Sequence, residues 1–231
     1  MTALPGLGSV PLASHLRQED LLRVYALVPA AGRGTRFGGA KLLAKWNERE
    51  LLGHVLLALG GARAAGLVSN TIVVHAPEDE AVRSLIIDYH AHPVAARSAL
   101  GELSDTLRAG IEAVSSRETG LEPSALLICL GDQPLLRIEV IRALVEAWRT
   151  SGLPAVRPAY RDSPGEPGHP LLLDRSLWRL AAELRGESGL APVLAARGIA
   201  IRSIPVGGRN PDVDTREDLS ALDAREDAAQ L

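Results

Sequence analysis

The sequence predicts an α/β fold in three layers, with a mainly parallel sheet between two layers of helices. Three observations predict it. Short, nearly continuous apolar runs of strand type recur at 23–29, 71–75, 125–130, 154–158 and 199–206. Segments with helical periodicity separate them, and alternating strands and helices of this kind build parallel sheets that are covered on both faces. With 231 residues, of which 46% are hydrophobic and 23% charged, the chain has the size and composition of one α/β domain.

Residues 1–20, "MTALPGLGSVPLASHLRQED", read as an extension before a single domain over 21–231. They lack a basic leader region, and Pro5 and Pro11 interrupt their apolar residues, so no signal peptide is expected. The first strand, 23–29, is followed by a glycine-rich segment. The helix over 51–65 is apolar nearly all round. After the strand at 71–75, Pro77 opens a helix over 78–90 whose first turn holds Glu78, Asp79 and Glu80, next to the positive end of the helix dipole. Helices follow over 104–117 and 137–151, flanking the strand at 125–130. The weaker strand at 154–158 leads into the Pro/Gly-rich loop 161–170, "RDSPGEPGHP". Helices over 174–185 and 189–197 precede the last strand at 199–206. The closing "DTREDLSALDA" starts a helix with Asp214 or Thr215 as N-cap and Glu217 or Asp218 in its first turn.

The single cysteine, Cys129, lies at the end of an apolar run and reads as a core thiol, so no intramolecular disulfide and no Cys-based zinc site can form. A reducing, cytoplasmic setting is expected. No apolar stretch is long enough to span a membrane, and a net charge of −3 supplies no global field for nucleic acid or anionic lipid.

The chemistry gathers in "LVPAAGRGTRFGGAK", 27–41, where an apolar strand runs into four glycines and three cations. Glycines after a strand let a ligand approach the backbone and let several N–H groups point at one anion. Arg33, Arg36 and Lys41 add full charges, and Lys41 is one of only two lysines in the chain. The segment suits a polyphosphate. It is not a Walker loop, because Leu42 follows Lys41. Nor is it the dinucleotide fingerprint, because the spacing is Gly32-x-Gly34-x-x-x-Gly38 with no helix directly after it. A second signal is "LLICLGDQPLL", which places Asp132 straight after a buried strand, at the sheet end where ligands bind. A carboxylate there suits Mg²⁺, which takes hard oxygen ligands and bridges phosphates. A third is "NPDVDTREDL", 210–219, where Asp212 or Asp214 is positioned to complete the metal site and Asp218 reads as helix structure.

These segments together resemble the MobA-like and IspD-like nucleotidyltransferases, closest to the molybdenum cofactor cytidylyltransferases. The resemblance rests on Ala30, Ala31, Gly32, Gly34, Arg36, Phe37, Gly38 and Lys41, on Gly131-Asp132-Gln133-Pro134, on "PGHP" at 167–170 and on the ending around Asp212 and Asp214. It implies a Rossmann-like α/β/α sandwich of the nucleotide-diphospho-sugar transferase type and transfer of a nucleoside monophosphate from CTP or another NTP to a small phosphorylated acceptor, molybdopterin among the candidates. Arg36 and Lys41 would be catalytic. Pro29, Ala30, Ala31, Gly32, Arg33, Gly34, Thr35, Gly101, Ser104 and Thr106 would hold the nucleotide. Asp132 with Asp214 or Asp212 would hold Mg²⁺, and Gly168 and His169 would meet the acceptor. The Ala-Ala-Gly form resembles the CTP users. Two departures stand out: Arg216 occupies a usual proline position, and Ala191 or Pro192 stands where the pattern has an arginine for an anionic acceptor. An IspD-type enzyme and a non-catalytic nucleotide-binding or cofactor-delivery protein are the alternatives. No nucleic-acid or membrane partner is expected, and a homo-oligomer is left open.

Overall fold

The computed structural model describes residues 22–97, 102–116 and 123–229, with side chains as far as residue 222 in the last helix. The extension 1–20 and Gly101 lie outside the described residues.

Seven strands form the main sheet: β1 Val24–Ala30, β4 Asn70–His75, β5 His92–Ala95, β6 Ala125–Ile128, β7 Ala155–Tyr160, β8 Leu171–Asp174 and β9 Arg202–Val206. The short strands β2 Lys45–Trp46 and β3 Arg49–Glu50 pair as a separate hairpin. The strand order is β5-β4-β1-β6-β8-β7-β9. All neighbours are parallel except β8, which runs antiparallel to both β6 and β7. β1 lies between β4 and β6, with Leu27 opposite Ile72 on one side and Ile128 on the other.

Alternation along β1 explains the three layers. Val24, Ala26 and Val28 point to one face and pack with α1 (Leu51–Ala64), α2 (Glu80–Asp88) and α4 (Ile138–Ser151). Tyr25 and Leu27 point to the other, against α3 (Leu103–Ser115), the 3₁₀ helix Arg175–Glu183 and α5 (Leu190–Ala196). α3 approaches β1 closely because Gly110 stands over Leu27: a Cβ at 110 would lie 2.3 Å from Leu27 Cδ1. α6 (Arg216–Ala229) follows the 207–215 segment.

The expected parallel sheet is therefore present, with three corrections. β8 was not expected, its residues 171–173 lying ahead of the expected helix over 174–185, and 175–183 coils as 3₁₀ rather than α. β5 and the β2–β3 hairpin were not expected. Cys129 is buried, as expected, and burial pushes its thiol pKa up. No helix among the described residues is long and apolar enough to cross a membrane.

Candidate active site

β1 delivers its last residues, Pro29 and Ala30, to the carboxyl-terminal rim of the sheet, and the chain then turns twice. Gly34 adopts a left-handed φ of 58°, which a glycine reaches without strain. It begins a 3₁₀ turn at Thr35–Phe37, closed by Phe37 N–H donating to Gly34 O at 3.0 Å. A second turn, Lys41–Leu43, brings Lys41 back over the first: a Cβ at Gly34 would sit 2.9 Å from Lys41 Cβ. The buried Phe37 anchors the loop in a small cluster with Trp46, Leu51, Val213 and Leu222. Through Phe37 and Val213 that cluster ties the glycine loop to the late acidic segment.

The late segment reaches the same rim from the far edge of the sheet. β9 ends three strands away from β6, roughly 14 Å at the usual strand spacing. Residues 207–214 then cross back. Arg137 holds the Gly207 carbonyl, and the buried Asn210 donates from Nδ2 to Gln133 Oε1 at 3.2 Å. Val213 N–H donates to the Asp132 carbonyl at 3.1 Å. The segment ends in a capping box at the start of α6. Thr215 Oγ1 accepts from Asp218 N–H at 3.1 Å, and Asp218 Oδ2 accepts from Thr215 N–H at 2.8 Å and Asp214 N–H at 3.0 Å.

The result is a charged knot. Lys41 Nζ lies 2.5 Å from Asp132 Oδ2 and 3.0 Å from Asp214 Oδ1, and Arg36 Nη1 lies 3.0 Å from Asp214 Oδ2. Burial by itself would lower the Lys41 pKa, but the two carboxylates outweigh it and the net shift is upward. Asp212 is held apart from the knot, its Oδ1 accepting from Gln133 Nε2 at 2.8 Å. Its carboxyl is partly desolvated although the residue as a whole is exposed. Desolvation first, and then the negative charge of Asp132, raise its pKa.

Beside the knot is a cavity of about 260 Å³ lined by Pro29, Ala30, Ala31, Gly32, Gly34 and Thr106, with Lys41, Asp132, Asp212 and Asp214. It opens outward past Arg33, Thr35 and Arg36. Of the two α3 hydroxyls expected at the nucleotide, Thr106 reaches the lining and donates to Glu102 O at 3.0 Å. Ser104 is fully buried and off the lining, with its N–H bonded to Gly186 O at 3.0 Å. Gly168 and His169 line a second, neighbouring cavity together with Ala191, Pro192 and Arg157. Burial lowers the His169 pKa. Three contributors were not singled out from the sequence. Gln133, inside the Gly-Asp-Gln-Pro motif, couples Asn210 to Asp212. Glu187 lines the mouth of the first cavity. Arg157 was likewise missed, for a single arginine within a strand carries no local signal. Among the described residues no group of three or more His, Cys, Asp or Glu gathers to hold a metal. Asp132, Asp212 and Asp214 line the cavity and are the carboxylates within it.

A mainly parallel sheet with a cationic glycine loop after its first strand and two aspartates facing that loop's lysine defines a nucleotidyltransferase domain. The chain belongs to the MobA-like NTP transferase domain family, whose model matches residues 26–201. It is 34% identical over 145 residues to a 2-C-methyl-D-erythritol 4-phosphate cytidylyltransferase of Streptomyces avermitilis, covering 59% of this chain and 54% of that one. The chain thus spans about half the length of the curated cytidylyltransferases it matches. A probable molybdenum cofactor guanylyltransferase of Thermococcus gammatolerans is 28% identical over 84% of this chain and 96% of its own length. The crystal structure of Rv0371c of Mycobacterium tuberculosis in complex with manganese shares the fold, with a TM-score of 0.67 at 24% identity over 87% of this chain and 97% of that one.

Proposed function

We propose that the chain transfers CMP from CTP to the phosphate of a small organic acceptor, with Mg²⁺, and releases pyrophosphate. The observation that carries this reading is the meeting of Lys41, Asp132 and Asp214 beside the glycine-lined cavity. The form Ala30-Ala31-Gly32 and the Streptomyces relatives named as cytidylyltransferases support CTP.

The residues fit a divalent ion. Asp132 and Asp214 already converge on one positive centre, the Lys41 ammonium, and two carboxylates suit an ion that keeps waters and shares phosphate oxygens. The manganese complex of the related fold supports a divalent ion of this kind. Bound there, it would neutralise charge on the triphosphate. The chain's own residues do the rest. The glycine loop admits the triphosphate to the backbone, and Lys41 and Arg36 turn from their carboxylates to phosphate oxygens. An oxygen of the acceptor phosphate bonds to the α-phosphorus, the bond to the bridging oxygen of the β-phosphate breaks, and pyrophosphate leaves with the electron pair. The acceptor phosphate is already ionised near neutrality, so the work is positioning and charge stabilisation rather than proton removal.

Pyrophosphate release from each NTP, with Mg²⁺ and candidate acceptors, tests the reading. CTP should be preferred, and Lys41→Ala should lower turnover on the order of 10²-fold or more, the usual cost of removing one transition-state donor. Undiminished turnover in that variant would reject the assignment. The Thermococcus relative, named as a guanylyltransferase and matched over nearly its whole length, supports GTP as the second reading. The same panel decides between them.

A further inference from the structure

The second cavity differs in character from the first. Its volume is about 270 Å³, and Leu107, Ile128, Leu171, Leu190 and Ile201 supply aliphatic walls. Among the described residues that line it, only Arg157 and His169 carry polar side chains. The two cavities meet at Pro29, Leu103 and Leu130, which line both. His169 stands within electrostatic reach of Asp132 on the nucleotide side and of Arg157 on β7. The Gly168–His169 corner is seated firmly, since a Cβ at 168 would come within 2.5 Å of the Pro158 carbonyl, and Tyr160 Oη donates to the His169 carbonyl at 2.8 Å.

On the nucleotidyl-transfer reading, this cavity is where the acceptor's body must lie. A polyol chain or a heterocycle rich in amide groups would bury several donors and acceptors against aliphatic walls, with two side chains among the described residues to pair them, and each unpaired group is costly. A hydrocarbon body carries no such cost and gains from every methylene removed from water. A cavity of roughly 150 Å³ holds one benzene, so a body of somewhat under twice that bulk fits. Arg157, always charged, complements a phosphate dianion at the cavity's polar end.

We propose that the acceptor is the monophosphate ester of a compact apolar alcohol, its hydrocarbon part in the second cavity and its phosphate between Arg157, His169 and the shared mouth. The product is then a nucleoside diphosphate ester: the phosphate oxygen gains the bond to the α-phosphorus that the departing pyrophosphate gives up. A kinase acting on the apolar alcohol is the class of reaction that must supply this substrate.

Calorimetric titration of the full chain, without NTP, with ethyl, butyl and hexyl phosphate and with glycerol 3-phosphate tests this. Affinity should rise about fourfold per methylene until the cavity is full, and hexyl phosphate should bind at least tenfold more tightly than glycerol 3-phosphate. Ala191→Glu, which puts a charged chain into the cavity from a partly exposed position, should abolish the chain-length dependence. Should that variant fail to fold, Ile201→Thr should weaken hexyl phosphate threefold or more. Arg157→Gln should weaken all the phosphates alike and leave the chain-length slope unchanged. Equal affinity along the series, tighter binding of glycerol 3-phosphate, or no binding of alkyl phosphates at millimolar concentration would overturn the proposal. Binding of CTP and GTP with Mg²⁺ is measured separately. Its absence beside an intact alkyl series would reject nucleotidyl transfer while leaving the cavity's chemistry standing.

Discussion

Ala40 carries a φ of 45° directly before Lys41, a left-handed conformation that costs an L-residue with a Cβ roughly 1–2 kcal/mol. Such strain is sustained only where the surroundings over-determine it, and here the turn that follows carries the lysine back to both aspartates. Ala40→Gly should therefore stabilise the fold by about 0.5–1 kcal/mol in urea melts, the strain relief being partly offset by the extra freedom of glycine in the unfolded chain. The same variant should lower turnover, because Lys41 is then less firmly placed. A variant that is no more stable would show that Ala40 is at ease. Lys41 also sets a pH dependence. Its folded pKa is raised above the ordinary 10.5, so the folded chain binds this proton more tightly than the unfolded one. The stability it contributes is complete below that ordinary value and is lost as pH rises through the folded value. Urea midpoints followed from about pH 9.5 to 12 should fall more steeply, above about pH 10.5, for the wild type than for Lys41→Met. Parallel curves would contradict the ion-pair knot.

At the scale of elements, the start of α6 does two jobs. The Thr215–Asp218 box caps the helix, and because Asp218 also accepts from Asp214 N–H it orients the aspartate that faces Lys41. Thr215→Ala should cost about 1 kcal/mol of stability and lower turnover more than that loss of folded protein explains. Circular-dichroism melts and steady-state rates together check it. Arg216, which departs from the usual proline, has a visible use: its guanidinium lies 5.1 Å from the Phe37 ring centroid and covers the anchor of the glycine loop. Several elements were legible because their patterns are local. The apolar runs at 23–29 and 71–75, and the helix after Pro77, needed only neighbouring residues, although that helix starts at Glu80 with Asp79 as its N-cap, so only Glu80 of the three acids lies in its first turn. β8 was not legible: "LLLD" is a bare apolar run beside helix-like sequence, and such a run has no period to separate strand from helix. β5 contains Pro93 and little apolar surface, which an edge position tolerates and a sequence pattern hides.

At the scale of the molecule, the candidate site joins segments 91 and 173 residues apart in sequence, counted from Lys41 to Asp132 and Asp214. The motif residues at 29–41 and at 132 could be read from strand ends alone. The different settings of Asp212, held by Gln133, and Asp214, paired with Lys41, could not, because they depend on how the chain crosses back over three strands. The fold itself rests on two apolar layers that include none of the knot's charged side chains. Chelation of divalent ions should accordingly abolish transfer while leaving the melting temperature within a degree or two; a large drop would mean that the ion holds the fold together. Leu171 of β8 lies opposite Ile128 of β6, so the reversed strand brings its entrance, not its exit, to the working edge. The ten residues feeding that entrance, 161–170, belong to a turn whose two ends are fixed by neighbouring strands. On the proposed function, such a turn should accept changes of length and composition while the glycine-loop half of the molecule keeps its grip on nucleotide, and grafting it from one relative to another should then retarget what receives the nucleotide.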